Sequence, residues 1–213
     1  MNKEKFYNFE GNNYFKRNEN NLSIDNDIIL KNFDINTYNN LNILEIGCSN
    51  GWRLNEFNKI NNTNNYYGLD PSLDAIENGK ENFKNINFIH GTMDKIDLPD
   101  LTCDIIFIPF VFMYIDRHLL LTCISEIDRI LKNNGTLIIT DFYSNVPRKN
   151  MYKHTDNTYI YKQNYFEVFT SSNNYFLLKL YCFNHNTKLD DYYNNTCFYV
   201  ELKKDLNFID NIN

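Results

Sequence analysis

The sequence lacks the features that define several large classes of protein. No run approaches the about 18 apolar residues of a membrane-spanning helix, and Met1–Lys5 shows no apolar core of a signal peptide. Lysine and arginine form no cluster, and the net charge of −6 disfavours a nucleic acid as partner. These absences predict a cytoplasmic protein without a membrane span that acts on small molecules.

Paired cysteines and linkers are also missing. The five cysteines are odd in number, widely scattered and free of any Cys-x-x-Cys pair, so we expect neither a disulfide framework nor a zinc site. No stretch rich in proline, glycine or serine divides the 213 residues. This length suits one well-buried domain.

The sequence does contain an apolar strand that runs into a tight turn. Leu44-Glu45-Ile46 leads into Gly47-Cys48-Ser49-Asn50-Gly51, and a second strand, Tyr66–Leu69, ends at Asp70. Small residues let the backbone approach a ligand, and a carboxylate about 20 residues later can accept both hydroxyls of a ribose. Together they predict an adenosine-type cofactor.

Strands and helices alternate along most of the chain, which predicts parallel strands with helices on both faces and a ligand at the carboxyl ends of the strands. The predicted strands are Asn42–Ile46, Tyr66–Leu69, Asn87–His90, Asp104–Ile108 and Thr136–Thr140. The predicted helices are Asp27–Phe33, Trp52–Lys59, one that follows Ser72, and Leu119–Leu131. Two further strands, Tyr175–Phe183 and Thr196–Lys203, predict an antiparallel hairpin at the edge of the sheet.

Helix ends are predicted from capping residues. Asp25 or Asn26 suits the cap of the first helix, and Ser72 that of the helix that places Leu73, Ile76 and Phe83 inward. For the helix Leu119–Leu131, we expect an end at Asn133-Asn134-Gly135 with the glycine at the C′ position.

Five motifs in order resemble those of the class I S-adenosylmethionine-dependent methyltransferases. They are Leu44–Gly51, Gly68–Ser72, His90–Met93, Cys103–Phe107 and Arg129–Leu137. The resemblance covers roughly residues 42–203. It implies an α/β fold with a Rossmann-like, seven-stranded, mostly parallel sheet, helices on both faces and an antiparallel last strand. It also implies S-adenosyl-L-methionine as cofactor and S-adenosyl-L-homocysteine as product.

A second, shorter resemblance concerns the N-terminus. Gly11–Asn18 is similar to the Tyr-x-x-Arg-Asn arm of small methyltransferases associated with pseudaminic acid and other surface-sugar pathways. We therefore expect residues 1–40 to form an arm and helix that cover the cofactor site, and residues 41–213 to form the methyltransferase domain. Within that domain, residues 142–174 are expected to cap the acceptor side.

Two departures from the family pattern affect the expected chemistry. Many members carry Gly-Asp-Ala after the third strand, whereas this chain has Gly91-Thr92-Met93, so adenine is expected to meet the Met93 backbone and Asp94. The fourth strand ends in Ile108-Pro109-Phe110-Val111 and lacks Asn-Pro-Pro-Tyr. Methylation of amides and nucleobase amines is therefore disfavoured.

The resemblance assigns cofactor-binding roles to the turn and the strand ends. Gly47, Ser49 and Gly51 would lie under the methionine part, Glu45 would orient the turn or the cofactor ammonium, and Asp70 would bind the ribose. Further candidates are Cys48, Pro71, Thr92, Met93, Asp94 and Pro109. Alternatives are a plain strand-to-helix turn, a helix-capping Asp70 and a dinucleotide dehydrogenase, although Gly-x-Gly-x-x-Gly spacing is absent.

Arg17 and Tyr14 are candidates for folding over the site, because a guanidinium fits the cofactor carboxylate in a bidentate way that Lys16 cannot match. The alternative is a solvated arm. For the catalytic base, candidates are Asp141 and Tyr143, just past the fifth strand, and His154, whose unperturbed pKa is the most suitable. A lone histidine in a polar loop is also often an ordinary surface residue.

Asp141 is not followed by asparagine, so the signature of magnesium-dependent catechol-type enzymes is missing and no metal is predicted. Residues 141–169 are rich in aromatic side chains, on which sugar rings can lie; a core-packing cap is the alternative. The candidate substrate-binding residues are Phe110, Phe112, Tyr114, Tyr152, Tyr161 and Lys162.

The sequence thus predicts a metal-independent methyltransferase for a small polar acceptor. A carbohydrate or nucleotide-sugar intermediate of surface-polysaccharide synthesis is favoured, methylated at oxygen or nitrogen. Another metabolite, a lipid or a protein remains open as acceptor, as does a partner subunit that binds the cofactor without catalysis. Oligomeric state and pathway are left undetermined.

Overall fold

The computed structural model describes residues 1–20, 24–184 and 195–206. The predicted domain range 41–213 therefore includes residues 185–194 and 207–213, which lie outside the described part. The strands are β1 (Asn42–Ile46), β2 (Asn65–Asp70), β3 (Ile86–His90), β4 (Cys103–Pro109), β5 (Leu131–Phe142), β6 (Arg148–Met151), β7 (Tyr159–Lys162), β8 (Tyr175–Asn184) and β9 (Thr196–Lys204). The α-helices are α1 (Asn2–Lys5), α2 (Gly11–Asn18), α3 (Ile28–Asn32), α4 (Trp52–Ile60), α5 (Leu73–Asn82), α6 (Leu120–Ile130) and α7 (Phe166–Thr170).

Seven of the described strands form one sheet in the order β3-β2-β1-β4-β5-β9-β8. Strands β1 to β5 run parallel, and β9 pairs antiparallel with both β5 and β8. This arrangement confirms the predicted Rossmann-like, mostly parallel sheet with an antiparallel last strand. Since parallel strands end at the same edge, the carboxyl ends of β1 to β4 lie together.

The sheet is buried on both faces by helices. Along β4, Ile106 and Ile108 pack in one apolar cluster, whereas the alternate residues Ile105 and Phe107 pack in another. Helix α6 contributes to the first cluster, and α3, α4 and α5 contribute to the second. Burial on both faces explains why the central strands are continuous apolar runs rather than alternating ones.

Two predictions about helices α3 and α5 change in the structure. The cap of α3 is Asp27, not Asp25 or Asn26, because its carboxylate accepts hydrogen bonds from the amides of Ile29 and Leu30 at 3.1 and 2.9 Å. Ser72 does cap α5 as predicted, accepting from the Ala75 amide. Leu73, predicted to face inward, is 44% exposed.

The largest difference concerns the start of β5. Helix α6 ends at Ile130, and the chain is extended from Leu131, which pairs with Cys103 of β4. Gly135 therefore lies inside the strand and is not the C′ residue of a helix. The Asn133–Gly135 turn signal marks an irregularity in the strand, where Asn134 has φ +60°.

Residues 2–18, which we call the N-terminal cover, consist of α1, a π-helical turn (Phe6–Glu10) and α2. The cover is tied to the β6–β7 hairpin: the Asn2 amide group donates to the Tyr159 carbonyl at 2.7 Å. At its other end the Asn12 amide group donates to Asp74 at 2.9 Å. No helix among the described residues is long and apolar enough to cross a membrane.

Candidate active site

A cavity of about 140 Å³, partly open to solvent, lies where the carboxyl ends of β1 to β4 meet the N-terminal cover. The predicted site residues that line it are Tyr14, Gly47, Asp70, Pro71, Thr92, Met93, Asp94, Pro109, Phe110 and Tyr114. Ligands of open α/β sheets bind at this edge. The cavity is therefore where an adenosine-type cofactor is expected.

The turn after β1 begins at Gly47, where a side chain would not fit. Gly47 has φ +78°, and a Cβ there would lie 2.4 Å from Val111 Cγ2. The amides of Gly47 and Cys48 both donate to the Leu69 carbonyl, at 2.7 and 3.1 Å. The turn is thereby fixed to the end of β2, with its backbone against the cavity wall.

Asp70 ends β2 and lies on the cavity wall. Its carboxylate accepts hydrogen bonds from the amides of Ser49 and Ser72, each at 2.8 Å. Burial raises the pKa of Asp70 to about 6, and these two amides act in the opposite direction. A charged acceptor fixed beside the glycine turn suits a ribose diol.

Glu45 does not line the cavity. It is fully buried in β1, where Oε1 pairs with the Arg53 guanidinium, and Arg53 also binds the carboxylate of Asp27 at 2.7 Å. Glu45 Oε2 has no hydrogen-bond partner among the described residues. Burial raises the pKa of Glu45 to about 8. The structure therefore connects Glu45 to helices α3 and α4, which flank the turn.

Three further predicted cofactor residues, Cys48, Ser49 and Gly51, belong to the turn but are not among the residues that line the cavity. Cys48 is buried, and Gly51 has φ +79° at the start of α4. Of the three, Ser49 has the most direct relation to the site, through its hydrogen bond to Asp70.

The end of the cavity beyond β3 contains Thr92, Met93 and Asp94. Asp94 forms an ion pair with Lys3 of the N-terminal cover at 2.6 Å. The Lys3 and Asn2 amides donate to Asp116 at 3.0 Å each. The first residues of the chain thus close this end of the cavity.

Tyr14 lines the cavity, and Arg17 does not. Arg17 forms an ion pair with the buried Glu10 at 2.6 Å and donates to the Tyr152 hydroxyl at 3.1 Å. In the described structure the carboxylate that Arg17 binds therefore belongs to the chain itself. Burial and the charge of Asp70 raise the pKa of Tyr14.

The predicted substrate-binding residues fall into two groups. Phe110 and Tyr114 line the cavity, and the Tyr114 ring lies 4.8 Å from Phe6 and 5.6 Å from Tyr152 between centroids. Phe112, Tyr152, Tyr161 and Lys162 do not line it. Phe112 and Lys162 are buried, and the Arg117 guanidinium lies over the Tyr161 ring.

None of the three predicted catalytic residues lines the cavity. His154 is exposed in the turn of the β6–β7 hairpin, with its ring 5.3 Å from that of Tyr152. Tyr143 is half-buried and lines a separate polar depression. Asp141 is fully buried. Their assignment as acid or base stays a prediction.

Several lining residues were missed by the sequence analysis. Ile46, Leu69 and Val111 stand at strand ends or in the turns that follow, and this position alone could have identified them. Lys3 and Phe6 lie in the N-terminal cover, which shows no motif at those positions. The remaining missed residues are Gly11, Gly91, Ile115, Asp116, Leu119 and Cys123.

Comparisons with known proteins bear on the same part of the chain. Residues 44–139 match the family described as "Methyltransferase domain". A ubiquinone/menaquinone biosynthesis C-methyltransferase of Campylobacter jejuni is 28% identical over 108 residues, which cover 48% of this chain and 45% of that protein. The match thus spans less than half the length of this relative.

Solved structures share the fold at low identity. An S-adenosylmethionine-dependent methyltransferase of Methanosarcina mazei is 15% identical, with a TM-score of 0.67 over 85% of this chain and 99% of that one. A Haloferax volcanii methyltransferase, solved in complex with the Trm112 methyltransferase activator, is 16% identical, with a TM-score of 0.69 over 94% of this chain and 98% of that one. The domain match, the sheet topology and the glycine turn together support a class I S-adenosylmethionine-dependent methyltransferase.

Proposed function

We propose that the chain transfers a methyl group from S-adenosyl-L-methionine to a small polar acceptor and releases S-adenosyl-L-homocysteine. The observation that carries this proposal is the position of Asp70, a carboxylate on the cavity wall, fixed by an amide of the turn that follows β1. The match of residues 44–139 to a methyltransferase domain supports the same cofactor.

The residues present fit such a cofactor. Gly47 lines the cavity without a side chain of its own, so a ligand can lie against its backbone. Asp70, Asp94 and Asp116 line the cavity, and a sulfonium donor is attracted by carboxylates. When bound, the donor supplies an electrophilic methyl group.

With the donor bound, methyl transfer would be an in-line displacement: the acceptor would have to lie opposite the breaking carbon–sulfur bond, and a hydroxyl acceptor would also have to release its proton. The contribution of the protein is to hold the acceptor close to the methyl group and aligned with it. Tyr14, Phe110 and Tyr114, together with Phe6, form the aromatic part of the cavity wall, and we propose that the first three hold the acceptor.

For the acceptor we favour a carbohydrate. Sugar rings pack against aromatic faces while their hydroxyls bond at the ring edges, and Tyr14 and Tyr114 offer both a ring and a hydroxyl. The predicted similarity of Gly11–Asn18 to surface-sugar methyltransferases supports the same class.

A second candidate is C-methylation of a quinone-type ring. The name of the Campylobacter jejuni relatives favours it, and the largely apolar lining of the cavity, including Phe6, Ile115 and Leu119, suits such a ring. A third candidate is a subunit that binds the donor without turning it over; the complex of the Haloferax volcanii neighbour with an activator makes a partner protein worth testing.

Calorimetric titration with S-adenosyl-L-homocysteine tests the cofactor assignment, and we expect a single site per chain. Incubation with the donor and separate panels of sugars, nucleotide-sugars and quinone precursors, followed by mass spectrometry, tests the acceptor. A mass gain in the sugar panel alone supports the carbohydrate proposal, and a gain in the quinone panel alone replaces it. Tight donor binding with no product in any panel favours the non-catalytic alternative.

A further inference from the structure

Asp141 is a buried carboxylate that the proposed chemistry does not use. It lies near the carboxyl end of β5 and is fully shielded from solvent. Oδ2 accepts a hydrogen bond from the Met113 amide at 3.1 Å, and Oδ1 accepts from the Phe142 amide at 2.7 Å. The Phe112 amide also faces the carboxylate. Its partners are therefore mostly backbone donors of the turn that follows β4.

That turn, residues 110–114, forms one wall of the cavity. Phe110, Val111 and Tyr114 all line the cavity, and Val111 packs directly against Gly47. The turn has little regular structure of its own: Phe110 has φ +53°, and only a short 3₁₀ helix, Phe112–Tyr114, follows. The position of this turn must therefore be fixed by contacts with other elements of the fold.

Strand β5 fixes the turn through two neighbouring residues. The Thr140 carbonyl accepts from the Phe110 amide at 2.7 Å, and Asp141 accepts from the Met113 amide. We propose that Asp141 is a positioning residue whose carboxylate holds the turn 110–114 against the cavity and thereby sets the wall that contacts donor and acceptor. The effect on the donor rests on the proposed function; the effect on the turn does not.

A carboxylate is suited to this task because its two oxygens can accept from several amides at once. Burial opposes the charge and raises the pKa of Asp141 to about 7, while the amides of Phe142 and Met113 favour the charged form. An asparagine in its place would present an N–H group to an amide donor, and one amide would lose its acceptor. The other titratable groups that act on Asp141 are Lys162, Tyr165, Cys197 and Tyr114.

The test compares D141N with D104N. Asp104 also accepts from a backbone amide, that of Asn42 at 2.9 Å, but it lies near the amino end of β4, at the opposite edge of the sheet. Two readouts are taken: hydrogen exchange of the Phe112 and Met113 amides, and the affinity for S-adenosyl-L-homocysteine. We expect D141N to lower the exchange protection of these amides by about tenfold or more and the affinity by about 5- to 20-fold. For D104N we expect wild-type values of both.

Unchanged protection of Phe112 and Met113 in a folded D141N protein would overturn the proposal, as would equal losses of affinity in D141N and D104N. If the wild-type chain does not bind the product while D141N still loses protection, the positioning role stands and the proposed function fails. Should D141N not fold, D141S, which keeps a small acceptor, is measured in the same way. Failure of both variants to fold would show that Asp141 supports the whole domain rather than the turn.

Discussion

The Asp70 carboxylate accepts a hydrogen bond from the Ser49 backbone amide, with 2.8 Å between Oδ2 and nitrogen. This bond joins the end of β2 to the turn that follows β1. The second oxygen is held by the Ser72 amide at the start of α5. Asp70 is therefore fixed from two sides before any ligand binds, so little ordering is needed when a ribose arrives.

Replacement of Asp70 by alanine is expected to weaken binding of S-adenosyl-L-homocysteine by roughly 1.5 to 3 kcal/mol, as for a hydrogen bond lost from a charged group. Isothermal titration calorimetry measures the change. Asp34→Ala is the control, because Asp34 also accepts from a backbone amide, that of Asn36, but does not line the cavity. Equal affinity of Asp70→Ala and wild type would show that Asp70 does not bind the product.

The stability of the chain without ligand should depend on the ionisation of Asp70. Because burial raises its pKa from 3.8 to about 6, the folded state holds this proton more tightly than the unfolded state does. The contribution of protonated Asp70 to the free energy of unfolding is therefore fully present below about pH 4, and it is lost as the pH rises through about 6. The Asp70→Asn variant carries a neutral amide at this position and has no such proton to lose.

Chemical denaturation of wild type and Asp70→Asn at pH 4 and pH 7 measures this effect. The free energy of unfolding of wild type relative to Asp70→Asn should fall by about 1 to 3 kcal/mol between the two values. Other carboxyls titrate in both proteins and cancel in the difference. A difference that is constant with pH would mean that Asp70 keeps an ordinary pKa.

The parts of the fold that the sequence predicts well are those where pattern and burial agree. Strand β1 begins and ends where predicted, and the antiparallel β8–β9 hairpin lies at the sheet edge as expected. The prediction that the helix includes Leu131 is wrong. The apolar side chain of Leu131 continues the stripe of α6, but its backbone already pairs with Cys103 in the sheet. Periodicity cannot separate a helix end from the start of a buried strand that follows without a loop.

For residues 1–40 the sequence predicted only an arm and one helix, at residues 27–33. The helices of the N-terminal cover itself were not predicted. The π-helical turn Phe6–Glu10 explains this, because its extra residue shifts the helical period and breaks the apolar stripe. The buried residues of the cover include Asn2 and Glu10, so hydrophobicity alone does not reveal its inward face. Arg17 could not be assigned to Glu10 from the sequence for the same reason.

The close contact between Gly47 and Val111 gives a prediction about the cavity wall. Gly47→Ala places a Cβ at 2.4 Å from Val111 Cγ2 and forces alanine into φ +78°, a conformation that costs about 1 to 2 kcal/mol for a residue with a Cβ. We expect a total loss of about 2 to 4 kcal/mol in stability, together with weaker product binding.

The double variant Gly47→Ala/Val111→Ala separates the two causes. The double variant removes the contact but keeps the backbone strain at position 47. Gly47→Ala should therefore lower the free energy of unfolding less in the Val111→Ala background than in wild type, but still lower it. Denaturant unfolding of the four proteins gives the coupling energy between the two positions. Simple additivity of the two single changes would show that Val111 does not limit the space at Gly47.

Glu10 should control how firmly the N-terminal cover closes the cavity. Its buried carboxylate accepts from Arg17 at 2.6 Å, Tyr152 at 2.9 Å and Thr155 at 2.6 Å, so it joins the cover to the segment that carries the β6–β7 hairpin. Glu10→Ala removes the acceptor that these three donors share, and we expect a loss of about 2 to 3 kcal/mol in the free energy of unfolding. We also expect faster hydrogen exchange in residues 2–18 and faster dissociation of the product in stopped-flow experiments. Glu4→Ala, an exposed change on the same cover, should leave all three quantities unaltered. If Glu10→Ala lowers stability but neither exchange nor dissociation changes, the cover does not govern access to the cavity.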